Sequence, residues 1–145
     1  MVPPKTIVAA IDFSEYSLMA LETAFHLLPD DEESTLILLH VLEIPKSIDP
    51  IGLLKPSLEE LSAEALERME DLIPLNRSGK IAIQRLAIQG APAKTIAKAA
   101  DENGADMILV GTHGRKGLAR VLLGSTAEAL LREAPCQVLV VKHHP

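Results

Sequence analysis

The sequence predicts an α/β domain built on a parallel sheet, from three observations. There are five short apolar runs, four amphipathic helical patterns lie between them, and the two alternate along the whole chain. The runs cover residues 6–11, 35–41, 80–88, 107–110 and 137–141. The second, fourth and fifth are almost continuous in Val, Ile and Leu, the pattern of strands covered on both faces by helices.

Each helical pattern carries its own punctuation. The first sets Leu18, Leu21, Phe25 and Leu28 on one face and stops at Pro29. The second opens on a capping box, Ser57-Leu58-Glu59-Glu60, and carries Leu61, Ala65, Met69 and Leu72 before Pro74. The third has Pro92 near its start, then Ile96, Ala99 and Ala100, and ends at Asn103-Gly104. A second capping box, Ser125-Thr126-Ala127-Glu128, predicts that Ser125 caps the fourth, which carries Leu130, Leu131 and Ala134 and ends before Pro135. Residues 43–56, with Pro45, Pro50, Gly52 and Pro56, read as an exposed loop, and the acidic residues 30–33 as a solvated turn.

Composition narrows the function classes. The 145 residues read as a single domain, 1–145, long enough to bury one core without disulfides or metal. A net charge of −6 weighs against a nucleic-acid or anionic-membrane binder, and 2% aromatic residues leave little for stacking on bases. The lone Cys136 fits a reducing compartment. The N-terminal residues read as neither signal peptide nor membrane span, so a cytoplasmic protein is expected.

In an open parallel sheet, ligands bind beyond the carboxyl ends of the strands. The segments following the first, third and fourth runs are Asp12-Phe13-Ser14, Gly90-Ala91-Pro92, and a long element from Gly111 through Gly114 to Gly124-Ser125-Thr126. Glycines there let backbone N–H groups approach an anion, and a helix N-terminus adds unpaired amides and the positive end of its dipole. Between Gly111 and Ala127 stand Arg115, Lys116 and Arg120 and no acid, a basic stretch in an acidic chain. The plain alternative is that the glycines make turns and Ser125 merely caps a helix. Neither G-x-x-x-x-G-K-[ST] nor G-x-G-x-x-G after the first run is present.

The spacing Gly111-x2-Gly114-x9-Gly124-Ser125-Thr126 resembles the nucleotide-binding signature of the ATP-binding universal stress proteins. The resemblance spans the chain, through residues 11–15, His40-Val41 and residues 134–141. It implies a three-layer α/β/α fold with a five-stranded parallel sheet of order 3-2-1-4-5. It also implies that ATP, with ADP and AMP as alternatives and with or without Mg2+, lies across the junction of strands one and four. Ala10, Ile11 and Asp12 would then face the adenosine and Val41 the adenine. Gly111 and Gly114 would pass beneath ribose and phosphates, Gly124, Ser125 and Thr126 would hold the phosphates, and Arg115 would reach one of them. Ala10 departs from the proline often found there in the family. The family's last strand, here Val138, Leu139, Val140 and Val141, commonly pairs with a second subunit, implying a homodimer.

The other polar residues read more simply. Asp12 is either a ligand contact or a first-turn carboxylate near a helix starting at Ser14. His113 is a loop-positioning residue, His26 and His40 are structural, His143 and His144 are a solvated tail, and Cys136 is an inert thiol. The expected function is a regulatory adenine-nucleotide binder rather than an enzyme, because no base stands beside the phosphate donors. A slow ATP hydrolase or phosphotransferase and a nucleotide-free dimerising scaffold are the alternatives. Residues 43–56 and 118–123, with Leu118, Val121, Leu122 and Leu123, are the expected moving parts.

Overall fold

The computed structural model describes residues 2–43, 57–74, 79–113 and 123–142. The order is β1 (Thr6–Ala10), α1 (Glu15–Leu27), β2 (Thr35–Leu42), α2 (Leu58–Glu70), β3 (Ala82–Gln89), α3 (Pro92–Glu102), β4 (Met107–Gly111), α4 (Ser125–Glu133) and β5 (Gln137–Val141). All five strands pair in parallel in the order β3-β2-β1-β4-β5. The chain therefore winds one way from β1 to β3 and the other way from β4 to β5. The switch point lies between β1 and β4, where Ala9 is flanked by Leu38 and Leu109.

Alternate side chains of the sheet feed two cores, as strand periodicity requires. On one face Ile7, Ala9, Leu36, Leu38 and Leu109 pack with Ala20, Leu21 and Ala24 of α1 and Met69 of α2. On the other, Val8, Ile37, Leu39, Ile108 and Val110 meet Ile96, Ala99 and Ala100 of α3 and Ala127 and Leu130 of α4. Gly104, at φ +61°, ends α3 in the left-handed conformation, and Ala105 N–H closes back on Ala100 O at 2.9 Å.

Three patterning expectations need correction. The buried stripe of α1 is Ser17, Ala20, Leu21 and Ala24, whereas Leu18 is exposed and Phe25 half-buried. Small residues take the stripe because α1 packs close to the sheet. In α4 the buried residues are Ala127 and Leu130, while Leu131 points to solvent. β5, as apolar as β2 and β4, holds the edge position that the order 3-2-1-4-5 gives it, yet it is not covered on both faces and leaves Gln137 and Leu139 exposed.

Candidate functional site

The carboxyl ends of β1, β2 and β4 and the N-termini of α3 and α4 surround one open cleft of about 1320 Å³. Drug-sized ligand pockets run to roughly 300–1,000 Å³, so the volume admits a ligand of nucleotide size. Eight of the ten predicted site residues line it: Ala10, Ile11, Asp12, Val41, Gly111, Gly124, Ser125 and Thr126. The other two, Gly114 and Arg115, lie outside the described residues, as do Lys116, Gly117, Leu118, Arg120, Val121, Leu122 and residues 44–56.

The turn leaving β1 is held by a dense set of bonds. Ile11 N–H extends the sheet to Leu39 O at 2.8 Å. The Asp12 carboxylate accepts from Ser14 N–H at 2.9 Å and from Ser14 Oγ, which makes it the anchor of the turn as well as part of the cleft wall. Ser14 in turn caps α1 by accepting from Ser17 N–H at 3.3 Å. Phe13, between them, has φ +66°. His40, buried at the end of β2, touches the Phe13 ring at 4.8 Å between centroids. The Arg68 guanidinium of α2 lies 3.8 Å over the same ring, a cation–π contact. Arg68 and Phe13 both line the cleft; Phe13 falls in the segment after the first strand, but no sequence motif marks Arg68, because α2 reaches the β1 turn only through the tertiary fold.

At the end of β4 the glycine signature has two separate physical causes. A Cβ on Gly111 would fall 2.6 Å from Tyr16 Cβ and 2.8 Å from the Tyr16 carbonyl carbon, so helix packing alone demands glycine there. The Tyr16 ring also contacts His113, with centroids 5.3 Å apart.

Gly124 is the N-cap of α4, in extended conformation, with its carbonyl accepting Glu128 N–H at 3.0 Å. Ser125 is therefore the first helical residue, and the expected capping box does not form in that register. Gly124 N–H is itself donated to Thr112 O, so the first-turn amides left for a ligand are those of Ser125, Thr126 and Ala127. No side chain caps α4, nor α3, whose N-cap is Ala91 with Pro92 following. Both helices begin at the cleft. By contrast α1 and α2, on the opposite face, are capped by Ser14 and Ser57.

The described walls are not basic. Among the described lining residues Asp12, Glu43, Glu64, Glu128 and Glu133 stand against Arg68 and Lys94, and the α4 N-terminus adds the positive end of its dipole to the cleft. Among the described residues no group of three His, Cys, Asp or Glu side chains could hold a metal ion, and no helix is long and apolar enough to cross a membrane.

Comparison with known proteins agrees with this geometry. Residues 4–142 match the Universal stress protein family. Universal stress protein MJ0531 of Methanocaldococcus jannaschii is 31% identical over 95% of this chain and 82% of its own length. Universal stress protein MJ0577 of the same organism is 33% identical over 95% of this chain and 94% of its own. The solved structure of MJ0577 superposes with a TM-score of 0.85, covering 99% of both chains at 29% identity. A universal stress protein solved in complex with cAMP covers 97% of this chain and 98% of its own at 26% identity, with a TM-score of 0.62.

Proposed function

The chain belongs to the universal stress protein family, and from that premise we propose that it binds ATP as a regulatory ligand in the cleft between β1 and β4. One observation carries the reading. Eight residues from four separate segments, expected to contact adenosine and phosphate, meet on one open cleft beside the uncapped N-terminus of α4. The relative solved with cAMP supports an adenine nucleotide as the ligand class. In this arrangement the adenosine lies against Ala10, Ile11, Asp12 and Val41, and the phosphates lie at Ser125 and Thr126, with Gly114 and Arg115 completing the loop.

The same reading makes the protein a cytoplasmic binder rather than an enzyme. Phosphoryl transfer needs an oriented base as well as charge neutralisation. The Asp12 carboxylate, on the adenosine side, is engaged by Ser14. Pairing through the exposed edge of β5 makes the functional unit a homodimer.

The test is to denature the purified protein and identify released nucleotide, then to titrate ATP, ADP and AMP with and without EDTA. A bound ligand raises stability by mass action, about 2.7 kcal/mol at one hundred times Kd. Gly114→Asp should remove that gain by adding a negative side chain to the loop. No released nucleotide and no stabilisation by any of the three would overturn the reading. Turnover of ATP at roughly 1 s⁻¹ or faster would make it an enzyme.

A further inference from the structure

The Ile11–Asp12 peptide group is bonded at both ends by side chains from different elements. Its carbonyl, Ile11 O, lies 2.7 Å from His40 Nδ1. Its N–H, that of Asp12, donates to Ser17 Oγ at 3.3 Å. A carbonyl only accepts, so Nδ1 carries the proton of this bond. His40 comes from β2 and Ser17 from α1, and both are buried, at 8% and 3% exposure. The two groups fix the plane of one peptide against rotation, as neither backbone neighbour alone could.

The residue after Asp12 needs such fixing. Phe13 is the only non-glycine residue with positive φ among the described residues, and an aromatic side chain is ill suited to that region. Such a residue persists only where its surroundings over-determine it, and such residues gather at ligand clamps. Three contacts do so at Phe13. The His40 ring lies on it, Arg68 covers it, and the Asp12 carboxylate closes the turn onto Ser14 N–H. His40 therefore touches the turn twice, through Nδ1 at the peptide and through its ring at the strained residue.

From this clamp we infer that His40 is a positioning residue of the nucleotide cleft, holding the Ile11–Asp12 peptide through Nδ1 so that Asp12 faces the ligand preorganised. The inference rests on the cleft being a nucleotide site. A turn already in its bound conformation has no ordering cost left when ligand arrives, and that saving appears as affinity. The chemistry required of residue 40 is narrow: one donor at the δ position of a short, buried side chain. Asparagine places its amide nitrogen near that position, glutamine places it one bond further out, and leucine has no donor.

The experiment compares His40→Asn, His40→Gln and His40→Leu with the unaltered chain by two readouts. The first, free of nucleotide, is the NMR amide signals of Asp12, Phe13 and Ser14. The second is ATP affinity, followed by the fluorescence of Tyr16, the single tyrosine in a chain without tryptophan. His40→Leu and His40→Gln should shift those three amides and weaken ATP by about tenfold, the effect of losing one buried hydrogen bond. His40→Asn, which returns the donor but not the ring against Phe13, should move the Asp12 amide back toward its unaltered position and recover most of the ATP affinity. Ser17→Ala, which frees the other end of the peptide, should shift the same amides and decides the matter if the leucine variant does not fold. Unmoved amides in His40→Leu or Ser17→Ala, or an asparagine variant that behaves like the leucine one, would overturn the inference. If the unaltered chain binds no nucleotide, the functional reading falls, and the amide signals still decide whether His40 sets the turn.

Discussion

Tyr16 and Gly111 are packed so closely that a Cβ on the glycine would fall 2.6 Å from the tyrosine Cβ and 2.9 Å from its carbonyl oxygen. Two of the three nearest atoms are backbone, and helix backbone does not yield as a side-chain tip does. Gly111→Ala should therefore destabilise the protein even without ligand, by about 1–3 kcal/mol, the usual cost of overpacking a tight site. Thermal unfolding of the nucleotide-free protein measures it. An unchanged midpoint accompanied by lost ATP affinity would mean that this glycine serves the ligand and not α1.

The two serines at helix starts near the cleft should respond differently. Ser14 caps α1 and also bonds Asp12, so Ser14→Ala should cost about 1–2 kcal/mol, at the upper end of N-cap removals. Ser125 sits one residue inside α4, behind the Gly124 N-cap. Ser125→Ala should stay within about 0.5 kcal/mol in the ligand-free state, as surface changes do, while weakening ATP. Urea unfolding of both variants separates the two cases. Equal losses would return Ser125 to the capping role that its sequence context suggests.

That contrast shows what the sequence made legible and what it did not. Alternation of apolar runs and helical patterns places all nine elements, because periodicity is a local property. The Gly90, Gly104 and Gly124 signals fall at turns and helix ends for the same reason. Ser125-Thr126-Ala127-Glu128 has the composition of a capping box, yet the helix starts one residue earlier than that motif implies, since Gly124 is held by Thr112 O just beyond β4 and takes the N-cap position itself. The continuous run in β5 does not by itself mark an edge strand, because position in a sheet is set by topology; the edge position is legible only through the family resemblance, whose order 3-2-1-4-5 puts the fifth strand last. The Arg68–Phe13–His40 stack joins residues far apart in sequence and has no local signature.

Cys136 lies just before β5, partly buried. Burial pushes its thiol pKa up, and the nearby Asp106 carboxylate adds to the shift. The carboxylate is fixed there because it accepts from the N–H groups of Lys5 and Thr6, each at 2.9 Å. Since thiolate is the reactive form, a raised pKa means less thiolate at a given pH. Alkylation by iodoacetamide at pH 8 should therefore be slower than that of a free thiol and should keep rising with pH above the free-thiol range. Asp106→Asn should speed the reaction modestly, because the carboxylate is the smaller of the two causes. A rate profile matching free cysteine would show that neither cause operates.

The two edges of the sheet are built differently. β3 presents Gln84 and Arg85 to solvent, and Arg85 is tied to Glu70 at 3.1 Å and to Leu66 O at 2.7 Å. Charge of that kind blunts an edge against pairing. β5 carries Val138, Leu139, Val140 and Val141 with no charged residue, and Leu139 is 36% exposed. If dimers form through β5, the full chain should give the mass of two chains in light scattering. Leu139→Lys should give one, since a charge in the centre of the pairing strand must be desolvated there. Its circular dichroism should be unchanged, because the substituted side chain is already part-exposed. A monomeric unaltered chain, or a lysine variant that still dimerises, would remove β5 as the contact.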